Sequence, residues 1–182
     1  GTFFHEQIIP GTLSFTEEML NAFPEILTRA DAIAVHPYTR YPPRVAPEND
    51  EDDEVPIWEM LSGVRALTGE LPILITEMGW PSWSPVTEAD QAAWLTRGTL
   101  LAQASGAEVL CWYTLRDEDE PSNTEESFGL LRSDDSRKPS GEAFAALARR
   151  SVSATGVGEV QDLPEGAWGV SYGESGTAYW GE

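Results

Sequence analysis

The chain is predicted to be an α/β protein forming part of a closed (β/α)8 barrel, with a small β appendage at its C-terminal end, and three observations predict this. Short unbroken apolar runs alternate with helical patterns. Each run ends in aromatic, acidic or histidine side chains, and none is followed by a Gly-rich phosphate-binding turn. Apolar strands without alternation belong to a parallel sheet covered on both faces. Polar clusters at their C-terminal ends are where a barrel builds its site, whereas an open nucleotide-binding sheet needs a glycine turn after an early strand.

The elements follow in order. Thr2-Phe3-Phe4 or Gln7-Ile8-Ile9 can form a first strand. Ser14 or Thr16 is placed to cap a helix running through Met19 and Leu20 toward Ile26 and Leu27. Ala32-Ile33-Ala34-Val35 reads as a buried strand. The Pro-rich loop after it carries the acidic run 48–54, which lacks the glycine and the spaced ligands of a calcium-binding hand and so reads as a solvated loop. A helix from Ile57 through Leu67, closed by Gly69, precedes the strand Pro72-Ile73-Leu74-Ile75. Thr87, Glu88 and Asp90 supply a cap and an acidic first turn for a helix carrying Ala92, Ala93, Leu95, Leu100 and Leu101. The strand Glu108-Val109-Leu110-Cys111-Trp112 comes next. A final helix opens at Ser140-Gly141-Glu142 with Phe144, Leu147 and Ala148 on one side. Residues 1–150 thus form the barrel region. In 151–182 the helical pattern stops, and residues 167–172 and 177–180 read as strands about the turn Gly173-Glu174-Ser175-Gly176.

Composition narrows the function. With 182 residues, 41% of them hydrophobic and 10% aromatic, the chain can bury a sizeable core. Its apolar runs are far shorter than the roughly 20 residues that cross a bilayer, and residues 1–10 lack the basic start and apolar stretch of a secretory signal. A soluble chain is expected, with secretion left open. A net charge of −20, from 31 acidic and 11 basic residues, disfavours nucleic acid and anionic membrane as partners and favours a neutral substrate. The acidic excess suits either hydration in concentrated salt or an ordinary soluble surface. Cys111, the single cysteine, cannot form an internal disulfide and reads as a small buried residue, which leaves the redox compartment open. Two histidines and one cysteine supply few metal ligands, so no metal or other cofactor is expected.

The most informative segment is Leu71-Pro72-Ile73-Leu74-Ile75-Thr76-Glu77-Met78-Gly79-Trp80-Pro81-Ser82. A carboxylate directly after a buried strand belongs at the barrel mouth, because an unpaired buried charge is costly. Glu77 can be a reacting group there, or a structural carboxylate paired with an arginine. Gly79 permits a sharp turn, and Trp80 brings a flat apolar face suited to a sugar ring. The stretch resembles the nucleophile segment of glycoside hydrolase clan A, retaining glycosidases on (β/α)8 barrels, in which the nucleophilic glutamate ends strand seven. It is similar to the version in β-1,3-glucanases, with Met78 where a small residue is more usual.

Residues on either side extend the resemblance. His36-Pro37-Tyr38 resembles the strand-six His-x-Tyr of that clan, whose side chains contact the nucleophile or the sugar, although a lone histidine after a strand is more often a polar loop residue. The Tyr38 phenol can donate a hydrogen bond to Glu77 and orient it. Trp112 matches the strand-eight tryptophan that floors the sugar subsite, where the plainer reading is a core residue; Tyr113, Arg116 and Asp117 follow it in a polar loop. Ser127-Phe128-Gly129-Leu130-Leu131 and Arg137-Lys138-Pro139-Ser140 resemble the tail of these barrels and are expected to be structural.

The resemblance covers about residues 1–150 and implies strands five to eight of a TIM barrel. It also implies a second carboxyl, roughly 5 Å from the first, as acid and base. In the clan this is the glutamate of an Asn-Glu pair ending strand four, and the chain contains no such pair. Glu6, in His5-Glu6-Gln7, is the nearest by position but lacks the preceding asparagine. Half a barrel leaves two sheet edges and an inner face bare, so the expected partner is the missing N-terminal half or a second copy of the chain. The expected function is a retaining β-glycoside hydrolase acting on a neutral β-linked glycan or glycoside, with Glu77 as nucleophile and His36, Tyr38, Trp80 and Trp112 at the sugar. A carbohydrate-binding or scaffold protein that kept the aromatic platform without catalysis is the alternative. An open-sheet protein with an unrelated metal site is weaker.

Overall fold

The computed structural model describes residues 9–38, 43, 45–48, 55–151, 167–171 and 177–181. Helix α1 (Ile9–Ala22) and the single turn α2 (Ile26–Arg29) lead into β1 (Ile33–Val35). Helix α3 (Ile57–Thr68) precedes β2 (Ile73–Met78), and α4 (Glu88–Ala104) precedes β3 (Ala107–Trp112). A 3-10 turn at Glu125–Ser127 and α5 (Pro139–Ser151) come next, followed by a hairpin of β4 (Ala167–Ser171) and β5 (Thr177–Gly181). Strands β1, β2 and β3 form a parallel sheet in that order, with Ile33 beside Ile73, Val35 beside Ile75 and Ile75 beside Leu110. Helix–strand alternation with sequential parallel neighbours is the repeat from which α/β barrels are built.

Local signals account for most element ends. Thr87 accepts from the Asp90 N–H at 3.1 Å while the Asp90 carboxylate accepts from the Thr87 N–H at 2.9 Å, a reciprocal cap that satisfies two free helix donors. Gly69 closes α3 at φ +61°, a left-handed conformation that favours glycine, and Arg65 donates to the Gly69 and Leu71 carbonyls at 2.9 and 2.7 Å. The start of the chain differs from expectation. Neither Ser14 nor Thr16 caps a helix: both lie inside α1, which begins at Ile9 and stops at Ala22 because Pro24 lacks an N–H and disfavours helical backbone at Phe23. Ile9 is helical, and the remaining residues of the suggested first strand lie outside the described residues. So do residues 49–54 of the acidic run. Its first member, Glu48, is not solvated but buried against Arg97.

The two faces of the sheet differ. Toward the helices, Val35, Ile73 and Ile75 pack with Ile57, Leu61, Val64, Leu100 and Leu101 into one core, which Val170 of the hairpin joins, fully buried. The Trp168 ring meets Trp58 at 6.3 Å between centroids. On the other face, Ala34, Leu74 and Val109 are register neighbours, and alternation along the strands adds Thr76 and Cys111. Val109 is 45% exposed, and Thr76 and Cys111 are also exposed. The expectation of a buried Cys111 is therefore corrected, while an inner face left bare is what the sequence leads one to expect of half a barrel. In the native chain, iodoacetamide is expected to alkylate Cys111 within about tenfold of the rate of a small free thiol of ordinary reactivity. A rate slowed a hundredfold, read by mass spectrometry, would mean that a second copy of the chain covers the face.

Candidate active site

The carboxylate of Glu77 stands where β2 leaves the sheet. The register of β2 against β3 is irregular between Ile75 and Met78, and there two successive side chains, Thr76 and Glu77, meet the segment after β1. Thr76 Oγ1 lies 3.0 Å from His36 Nε2, and Glu77 Oε1 accepts a 2.9 Å hydrogen bond from the Tyr38 hydroxyl. The second oxygen, Oε2, is 3.8 Å from His36 Nδ1. A tight turn in which the Tyr38 N–H donates to the His36 carbonyl at 2.9 Å folds the phenol back over the strand end. Tyr38 is buried, while the Glu77 side chain keeps 31% exposure. The carboxylate is thus gripped from one side and open on the other.

The electrostatics suit this arrangement. Burial first, and then the Glu77 charge, push ionisation of the Tyr38 phenol far above its ordinary range, so Tyr38 remains a proton donor to the carboxylate. Burial also holds the His36 imidazole below its ordinary value, although the Glu77 charge pulls the other way. A neutral ring with its proton on Nδ1, facing Glu77, leaves Nε2 to accept from the Thr76 hydroxyl. A lowered folded value means that the unfolded state takes up the proton first as pH falls. The contribution of His36 to stability is therefore complete above the ordinary value of 6.5 and is lost as pH falls from there through the folded value. Between pH 6.5 and 5 the urea midpoint of the native chain is expected to fall more steeply than that of His36→Gln. Equal slopes would contradict the shift.

Trp112 ends the neighbouring strand, in register with Met78. At the end of β3, it donates from Nε1 to the Phe128 carbonyl at 3.0 Å and remains partly exposed. Trp80 is different: only 2% exposed, it donates to the Val45 carbonyl at 2.9 Å and wedges its ring against Gly98 of α4, where a Cβ would come within 2.6 Å of the ring. The placement of Trp80 at the sugar is corrected accordingly. It belongs to the core and backs Trp112 at 6.0 Å between ring centroids. Of the polar loop after Trp112, Asp117 is buried in an ion pair with Lys138 at 2.6 Å, and Arg116 is engaged by Asp119 and Asp135 on the outside of the loop. Glu125, whose carboxyl is raised by burial, was not singled out by its sequence; its charge and Tyr113 both act on the Tyr38 phenol. Glu125 has no strand-end position to mark it. Among the described residues, no group of three or more His, Cys, Asp or Glu is placed to hold a metal ion, and no helix is long and apolar enough to cross a membrane.

No protein-family model matches the chain, and no curated protein matches it in sequence. Solved structures do match, and they are glycoside hydrolases on TIM barrels. A family 39 glycoside hydrolase from Bacteroides cellulosilyticus WH2 is 25% identical with a TM-score of 0.65, the match covering 87% of this chain and 36% of that one. A GH5_18 structure from Bifidobacterium longum subsp. longum is 19% identical with a TM-score of 0.53, covering 71% of this chain and 33% of the other. A variant from the same organism, solved in complex with Manb1-4GlcNAc, has the same identity and a TM-score of 0.52, covering 71% and 32%. The chain therefore spans about a third of the length of these structures and shares their fold over most of its own length.

Proposed function

We propose that this chain is the nucleophile-bearing portion of a retaining β-glycoside hydrolase acting on a neutral β-linked glycan or glycoside. The observation that carries the reading is the Glu77 carboxylate at a strand end, held by Tyr38 and facing His36, with Trp112 ending the neighbouring strand. The likeness to a family 39 glycoside hydrolase supports the same class. In this reading Glu77 Oε2 attacks the anomeric carbon as the bond to the leaving oxygen breaks, giving a covalent glycosyl ester that water then cleaves. Tyr38 fixes the attacking group and Trp112 floors the sugar. The acid that protonates the leaving oxygen is supplied by strands that cover the bare inner face of the sheet, from a barrel's other half or from a second copy. The strands β1, β2 and β3 then correspond to strands six, seven and eight.

A glycoside whose leaving group needs no proton tests this on the chain itself. Dinitrophenyl 2-deoxy-2-fluoro-β-glycosides release a stable phenolate, and the fluorine slows breakdown of the ester. One fluorosugar is expected on the peptide containing Glu77, with gluco, xylo and manno reagents compared for rate. Label on another residue, or equal labelling of Glu77→Gln, would overturn the assignment. The partly exposed Trp112 indole serves equally in a second reading, a carbohydrate-binding protein derived from such a barrel. Binding of the reagents without any covalent product would select it.

A further inference from the structure

The only lysine of this strongly acidic chain is not on the surface. Lys138 is 1% exposed, at the entry to α5. Its ammonium reaches Ser82 Oγ at 2.7 Å, Asp117 Oδ1 and Oδ2 at 2.8 and 2.6 Å, and the Ser127 carbonyl at 3.3 Å. The acceptors come from two different loops. Ser82 lies in the loop that leaves β2 after Glu77; Asp117 and Ser127 lie in the loop that leaves β3 after Trp112. Asp117 Oδ1 also accepts from the Gly129 N–H at 2.8 Å, and the Ser82 N–H donates to the Ser127 carbonyl at 2.9 Å. The Phe128 carbonyl, between Ser127 and Gly129, is the acceptor for the Trp112 indole.

A buried ammonium is tolerated only when its charge is paired and its protons are accepted, and here a carboxylate and two further oxygens do both. Three donors on a compact centre suit acceptors arriving from different directions, whereas the flat fork of arginine suits a single planar partner. A second buried side chain bridges the same two loops. Gln91 of α4 donates to the Trp80 carbonyl at 2.8 Å and to the Gly129 carbonyl at 3.4 Å, and accepts from Ser140 Oγ at 2.8 Å.

We propose that Lys138 is a positioning residue for the site: its ammonium ties the loop after β2 to the loop after β3, so that the Glu77 carboxylate and the Trp112 indole keep a fixed separation. This rests on the glycosidase reading for its consequence in catalysis, but not for the tie itself.

Lys138→Met, Lys138→Arg and Ser82→Ala in the full chain test it with two readouts. In amide hydrogen exchange, Lys138→Met is expected to speed exchange at Ser82 and Gly129 at least tenfold while the amides of α3 keep their rates. Unchanged exchange at Ser82 and Gly129 overturns the tie. In covalent labelling of Glu77 by the fluoroglycoside, Lys138→Met is expected to slow the bond-forming step at least tenfold with half-saturation within twofold, and Lys138→Arg to recover part of the loss. A full labelling rate in the folded variant, despite faster exchange, reduces Lys138 to a structural residue and overturns the positioning role. If the unaltered chain takes no label, the glycosidase reading fails, and the tie is judged on exchange alone. If Lys138→Met does not fold, Ser82→Ala, which removes one acceptor, is expected to change both readouts in the same direction by less. No change in either overturns the proposal.

Discussion

Replacing Glu77 by glutamine is expected to lower the rate of covalent labelling by on the order of 10⁴-fold and to change unfolding stability by less than about 1 kcal/mol. The two effects separate because of how the side chain is held. Its Oε1 accepts from Tyr38, and an amide oxygen at the same place still accepts; its side chain is 31% exposed, so the change desolvates nothing new. What the amide loses is the negative charge and the oxygen lone pair able to attack carbon. Burial would still lower the His36 imidazole while the opposing pull of Glu77 is gone, so the ring should titrate at lower pH in the variant. Histidine titration followed by NMR and urea unfolding, run beside the labelling assay, check all three. Loss of more than about 3 kcal/mol with the variant would point instead to a structural carboxylate. Among the described residues the partners found for Glu77 are Tyr38 and His36.

Strand and helix positions were legible wherever short-range chemistry decides them. The Thr87–Asp90 cap, the Gly69 stop, the three parallel strands and the C-terminal hairpin all lie where turn residues, caps and apolar runs put them. The grip of Tyr38 on Glu77 was legible as well, because both follow strands that pair side by side. What escaped depends on partners distant in sequence. Trp80 stands four and five residues before Ser84 and Pro85 in a loop-like stretch, yet Gly98, in the middle of α4, opens a slot that takes its ring into the core. A glycine inside an otherwise good helix was the available signal. Lys138 could not be read as buried without Ser82, Asp117 and Ser127 around it. Cys111 misled because its apolar run reads as buried, whereas among the described residues the face of the sheet that carries it, opposite the helices, is exposed.

Gly79→Ala is expected to be the most damaging small substitution near the site, costing about 3 kcal/mol or more of stability by overpacking and most of the labelling of Glu77. A Cβ at this position would stand 2.1 Å from the Tyr113 carbonyl oxygen and 3.1 Å from the Phe128 ring. The first contact is with backbone, which no rotamer change relieves. Nor can that backbone recede freely, because the Tyr113 N–H donates to the Met78 carbonyl at 2.9 Å and the Thr114 N–H to the Phe128 carbonyl at 3.3 Å. Relief therefore requires β2 and β3 to part at their C-terminal ends, where Glu77 and Trp112 stand. Gly69→Ala supplies the control: it meets nothing within 4 Å, so only its positive-φ backbone is strained, at about 1–3 kcal/mol. Urea unfolding of the two variants, with Glu77 labelling measured in the folded fraction, distinguishes them. The crowded glycine should lose both stability and labelling, and the open one stability alone. Labelling of Gly79→Ala at the unaltered rate would show that the strand ends can separate without disturbing the carboxylate, against the close coupling of β2 and β3 argued from their shared backbone contacts.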